Sequence, residues 1–141
     1  MNHFERLSKM YLSAPIHAYY KGIELIISTG MAEIKLPVDE RYFHAAMAVH
    51  GSVYFKLLDD SAYFACQSDV PDFFLLTKKF TVELKRPVTE GSMIATGKLV
   101  SFDGHTYFGQ SEITNLQGKI IATGQGEFVK GKTGLTDVKG Y

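Results

Sequence analysis

The sequence predicts an α+β domain in which one long central helix is wrapped by a curved antiparallel sheet, with a short helix at the N-terminus. Three observations carry this expectation. The run His50–Cys66 is the one extended segment whose apolar residues recur at helical spacing. Nearly every other periodic segment reads as strand. Glycines also stand inside the predicted strands, at Gly97, Gly109, Gly124 and Gly126, where they mark bulges or the close approach of another backbone. The helix offers Ser61, Ala62 and Ala65, small residues that can nestle against such a sheet.

The elements follow in order. Residues His3–Ser13 place Phe4, Leu7, Met10 and Tyr11 at helical spacing, and Pro15 stops them. Ile23–Ser28 and Met31–Leu36 are apolar runs joined at Thr29-Gly30, a hairpin. Residues 37–49 have no clear period and read as a long loop entering the central helix; long loops often carry function. Phe73–Lys85 is the next strand, with even positions Leu76, Phe80, Val82 and Leu84 apolar and the alternation broken at Lys78. Ser92–Phe102 and His105–Asn115 flank Asp103-Gly104, a strong hairpin signal. Gly118–Val129 closes the sheet. Residues 1–129 are therefore expected to form a single domain. From Lys130 on, Gly and Lys with little apolar content predict a mobile tail.

Composition excludes several function classes. A chain of 141 residues with 15 basic and 15 acidic side chains offers no electrostatic footprint for nucleic acid. The apolar stretches are too short to span a bilayer. Glu5, Arg6 and Lys9 lie in the first fifteen residues, so a signal peptide is not expected and the cytoplasm is the default location. The single cysteine, Cys66, forms no internal disulfide and belongs to no metal cluster; it reads as a small buried hydrophobe. No metal or cofactor is expected.

The chemistry concentrates in the helix. His50-Gly51 opens it, and a helix N-terminus presents free N–H groups able to polarise a carbonyl. Asp59 follows nine residues after His50, among Phe, Leu and Ala. Its alternative role is a surface carboxylate paired with Lys56 one turn back. Asp60, also one turn from Lys56, serves as the contrasting residue, expected to be solvated or paired along the helix.

The order of elements, together with His50-Gly51-x7-Asp59, resembles the hotdog fold, and more closely the PaaI-like acyl-CoA thioesterases of phenylacetate-pathway type. The resemblance runs from about Tyr42 to Val129 and includes Pro87–Gly91 and the Gly118-Lys119-x-x-Ala122-x-Gly124 run. It implies that Asp59 is the nucleophile or general base at a thioester carbonyl, that the Gly51 N–H polarises that carbonyl, and that Thr77 assists beside the acid. Many relatives carry Asn six residues before the His; here His44 stands there, and histidine can also donate a hydrogen bond. Ser52 replaces the usual second glycine. Phe43 is expected to wall an acyl pocket, and His50, Ser52, Lys78 and Lys79 to touch substrate. Lys85 and Arg86 are further candidates for coenzyme A phosphates. The resemblance also implies sites shared between subunits of a homodimer or tetramer.

The expected activity is hydrolysis of a small or medium acyl-CoA, aromatic ones included, to free acid and CoA. Two alternatives stay open: a non-catalytic acyl-CoA binding module, and a hotdog acyl-thioester dehydratase. The Gly-His-Phe-Pro-type loop of the last is absent.

Overall fold

A computed structural model describes residues 1–141. Helix α1 (His3–Ser13) begins with a capping box: the Asn2 side chain accepts from the Glu5 N–H (2.9 Å), and Glu5 Oε2 accepts from the Asn2 N–H (3.0 Å). Two orphan donors are thereby satisfied. Leu7, Met10 and Tyr11 form its buried face, and Pro15 starts a 3₁₀ turn (Pro15–Ala18) that ends it.

Six strands make one antiparallel sheet. They are β1 (Glu24–Ser28), β2 (Met31–Pro37), β3 (Phe73–Leu84), β4 (Ser92–Phe102), β5 (Thr106–Thr114) and β6 (Ile120–Gly134), in the spatial order β1-β2-β4-β5-β6-β3. Helix α2 (Gly51–Gln67) follows β2 and packs across the sheet, so the chain crosses to the far edge before laying down β3. Leu57, Leu58, Ala62, Ala65 and Cys66 are fully buried beneath it.

Glycine makes that packing possible at two places. A Cβ on Gly97 would run into the backbone carbonyl of Ser61, and one on Gly109 would press on Cys66 Sγ (3.1 Å) and the Ala62 carbonyl (3.2 Å). The expected small-residue contacts are these. Gly124 and Gly126 serve differently, as the floor under the Phe80 ring.

Two expectations need correction. The even-numbered face of β3 is not continuous. A register shift between Thr77 and Lys79 inserts Lys78 as an extra residue against β6, a β-bulge that flips the alternation. Leu75 and Thr77 therefore face the helix before the bulge, Phe80 and Val82 after it, and Leu76 is exposed. The second correction concerns the tail. Strand β6 runs to Gly134, Leu135 is fully buried, and Tyr141 packs back on α1. The Tyr141 hydroxyl lies 2.6 Å from His3 Nδ1, and its backbone oxygen accepts from Arg6 Nε (3.2 Å). A few well-placed apolar anchors hold a segment whose composition reads as polar.

Strand β3 is an outer edge, and its exposed flank is apolar. Leu76 is 52% exposed and Leu84 48%, while Phe55 of α2, beside Phe80, is 42% exposed. No helix of the chain is long and apolar enough to cross a membrane.

Candidate active site

Asp59 lies on the third turn of α2, facing the bulged start of β3. Its Oδ1 accepts a hydrogen bond from the Thr77 hydroxyl (3.0 Å), and no cation is bonded to it. The start of β3 is held there by buried polar groups. Gln67 donates to the Val70 and Phe73 carbonyls (2.9 Å each) and accepts from the Leu75 N–H (2.9 Å). The Tyr63 hydroxyl donates to the Leu75 carbonyl (2.8 Å). With Leu75 clamped, Thr77 comes under the carboxylate.

Asp59 and Thr77 sit at the margin of a cleft of about 590 Å³. Its walls come from α1, the 3₁₀ turn, α2, β3 and the C-terminal segment, with Met10, Ile16, Phe64, Phe74, Leu76 and Val138 among them. Burial pushes the Asp59 carboxyl up to about 6, and the neighbouring Asp60 charge adds to this; Thr77 and Lys56 act in the opposite sense. Its proton equilibrium thus falls close to neutral pH, where a carboxyl serves best as a base.

Asp60 has a different environment. Its Oδ2 accepts from the Tyr11 hydroxyl (2.7 Å) and from Lys56 Nζ (2.7 Å). Lys56 also lies 3.0 Å from His17 Nε2. Burial and Asp60 together hold the Tyr11 phenol far above its ordinary value, so it stays a donor. Lys56 thus pairs with Asp60 and leaves Asp59 alone. The i,i+4 spacing of Lys56 and Asp60 is the one local sign of this network in the sequence, and the apolar cleft has none.

The helix start forms a second, smaller cleft of about 290 Å³, lined by His44, Gly51, Tyr54, Leu84, Lys85 and Arg86 among others. His50 is the N-cap: Nδ1 accepts from the Ser52 N–H (3.0 Å) and lies 2.8 Å from Ser52 Oγ. The Val53 N–H goes to the His50 carbonyl (3.0 Å). The Gly51 N–H, at the first helical position, has no intrahelical acceptor. His44 is exposed, and its Nδ1 accepts from the Ala46 N–H (3.1 Å), which puts the proton of the neutral ring on Nε2. That N–H is available to a ligand.

Not every candidate belongs here. Phe43 lines neither cleft; bridged to Val49, it packs half-buried against the core. Lys78 is the exposed bulge residue. Lys79 lines a groove with Gln110 and Gln125 on the sheet face away from the helix. Of the cations expected to meet substrate, Lys85 and Arg86 line the cleft at the helix start. The Cys66 thiol, pushed up to about 12 by burial and then by Asp69, is inert.

Comparison with solved structures decides the architecture. The E. coli PaaI protein from the phenylacetic acid degradation operon superposes with a TM-score of 0.83, covering 94% of this chain and 95% of that one at 21% identity. The chain has the hotdog fold. Zebra fish thioesterase superfamily member 2 matches at TM-score 0.81 and 14% identity, over 93% of this chain and 100% of that one. A thioesterase of Haemophilus influenzae matches at 0.78 and 17%, over 92% and 90%. No family model and no curated protein matches the sequence. Within this hotdog frame, Gly51 and Asp59 sit eight residues apart on one helix, about 12 Å along its axis at ~1.5 Å per residue. One carbonyl cannot meet both within a single chain.

Proposed function

We propose that the protein is an acyl-CoA thioesterase acting on small or medium acyl groups, aromatic ones included, as a dimer with shared sites. The observation that carries the reading is Asp59: a carboxylate at the margin of an apolar cleft, bonded by one neutral hydroxyl and free of the lysine one turn away. An acyl group fits the cleft, and the thioester carbonyl then lies at Asp59. The carboxylate attacks that carbonyl or takes a proton from water, and Thr77 orients it. In the first route the C–S bond breaks as an acyl–Asp59 anhydride forms. Water then hydrolyses the anhydride to the free acid and supplies the proton that makes the departing thiolate the CoA thiol. In the second, the water attacks the carbonyl as Asp59 takes its proton, and Asp59 returns that proton to the thiolate as the C–S bond breaks.

The developing oxyanion needs preorganised donors, worth roughly 2.7–4 kcal/mol each when correctly aimed. The Gly51 N–H of a second copy supplies one. Strand β3 is an edge with exposed Leu76 and Leu84 beside Phe55, a template for antiparallel pairing with another chain. A two-fold axis through that edge, perpendicular to the sheet, sets the two α2 helices side by side and antiparallel, with each helix start toward the partner's mid-helix acid. His44 Nε2–H, next to Gly51, is a second donor, and Lys85 and Arg86 in the same cleft meet the CoA phosphates. The thioesterase descriptions of similar structures support the reaction class.

A panel of acyl-CoA esters assayed with a thiol-trapping dye tests this. Thiol release by the wild type and none by Asp59→Asn is expected. Acyl-CoA binding with no thiol release from any ester contradicts the enzyme and marks a binding module.

A further inference from the structure

We propose that Asp60 is a positioning residue for Asp59: together with His17 it holds the Lys56 ammonium away from the reactive carboxylate and keeps that carboxylate unpaired. The inference rests on the thioesterase reading for its catalytic meaning and on geometry for its substance. Lys56 stands three residues before Asp59 and four before Asp60, and both spacings bring side chains together on a helix. Local sequence therefore leaves the partner open. Other elements decide it.

The ammonium sits in a closed cage on the Asp60 side. Nζ is 2.7 Å from Asp60 Oδ2 and 3.0 Å from His17 Nε2, with the Tyr20 and Tyr11 ring centroids at 4.9 Å and 5.3 Å. His17 Nδ1 donates to the Tyr11 carbonyl, so the Nε2 of a neutral ring carries a lone pair toward the lysine. Burial, and then Lys56 itself, hold His17 below its ordinary value and so in that neutral form. Tyr11 donates to the same Asp60 oxygen (2.7 Å) and aims it. The pair is largely shielded, with side-chain exposures of 11% and 19%.

The groups around Asp59 are few. Lys56, Asp60 and Tyr63 come from α2, Tyr11 from α1, His17 from the 3₁₀ turn and Lys139 from the C-terminal segment; β3 contributes the neutral Thr77. Lys56 is the cation close enough on the helix to quench Asp59. A direct ion pair lowers a carboxyl by 1–3 pH units, which removes basicity and nucleophilicity together.

The test is a double-mutant cycle read on the Asp59 carboxyl by ¹³C NMR titration, with kcat and KM alongside. Asp60→Asn keeps an oxygen for Tyr11 and removes the charge that holds Lys56. The Asp59 midpoint should fall by about one pH unit or more, and kcat about tenfold with KM little changed. In a Lys56→Met background the same substitution should move the midpoint far less, and the double variant should regain most of the lost kcat. An equal fall in both backgrounds means that Asp60 acts by simple repulsion, and that result overturns the proposal, as does an unchanged or raised midpoint in Asp60→Asn. Should Asp60→Asn not fold, His17→Phe loosens the same cage and should lower the midpoint in the same direction; an unchanged midpoint there overturns the proposal. The titration needs no turnover, so failure of the cage is distinguishable from failure of the thioesterase reading.

Discussion

The two clefts along α2 are closed by different parts of the chain. At Asp59 a large, mainly apolar cleft is closed by α2, β3 and both ends of the chain, with Lys56 held on Asp60, whereas at Gly51 a smaller cleft is closed by the loop before the helix and the end of β3, with Lys85 and Arg86 in its lining. On the thioesterase reading the difference follows from what each must do. An acid gains basicity from desolvation, so it is placed where distant elements exclude water. A donor to a carbonyl, and cations for phosphates, must stay open to the ligand. On the proposed dimeric reading each chain holds two half-sites rather than one site.

Asp59→Asn attacks the comparison at its apolar end and should have the largest effect, about 10³-fold or more in kcat, while Asp60→Asn loses far less. The same variant has a stability signature. A carboxyl that titrates higher folded than unfolded binds its proton more tightly in the native state, so stability declines as pH rises from the ordinary carboxylate range to about 6. Asp59→Asn removes that decline, and its Tm should exceed the wild type's at pH 8, with the advantage vanishing toward pH 3.

At the helix start, Gly51→Pro deletes the candidate oxyanion donor with little harm to the helix. Proline is favoured at the first helical position, and His50, at φ −64° and ψ 143°, already has the extended backbone a following proline requires. The nearest obstacle to a Cβ is the flexible Leu84 Cδ1 at 3.3 Å. A loss of about 10²–10³-fold in kcat is expected, with an unaltered circular dichroism spectrum.

Thr77→Val sharpens the comparison by making the apolar end more apolar. Activity should fall about tenfold through the lost hydrogen bond. The acid limb of the kcat/KM profile, expected near pH 6 from the Asp59 carboxyl, should move to higher pH, because the Thr77 bond favours the ionised form. A limb that stays in place would detach Thr77 from the acid. His44 has the smallest expected effect: His44→Asn keeps most of kcat because an amide N–H replaces Nε2–H, and His44→Ala loses several-fold in kcat rather than KM.

Much of this was legible in the residues. The bounds of α1 and α2, both hairpins and the glycine contacts under Ser61 and Ala62 follow from periodicity and residue size, which are local properties. The bulge was not, because one extra residue at Lys78 leaves only a broken alternation in the sequence, and nothing local says which side Thr77 will take. The apolar cleft was hidden for a related reason: Met10, Phe74 and Val138 meet only after the C-terminal segment, polar in composition, returns to α1 on Leu135 and Tyr141. The partner of Lys56 was equally undecidable from spacing, since Tyr11 and His17 settle it from outside the helix.

The claim of two half-sites is tested most directly by mixing two inactive chains. Asp59→Asn retains Gly51, and Gly51→Pro retains Asp59, so a heterodimer has one intact site and one doubly broken site. Co-expressed with different tags in equal amounts, the pair should recover about one quarter of wild-type activity, since half of the dimers are mixed and each mixed dimer has one working site. A mixture no more active than its two parents, with exchange of subunits demonstrated by the tags, would contradict it.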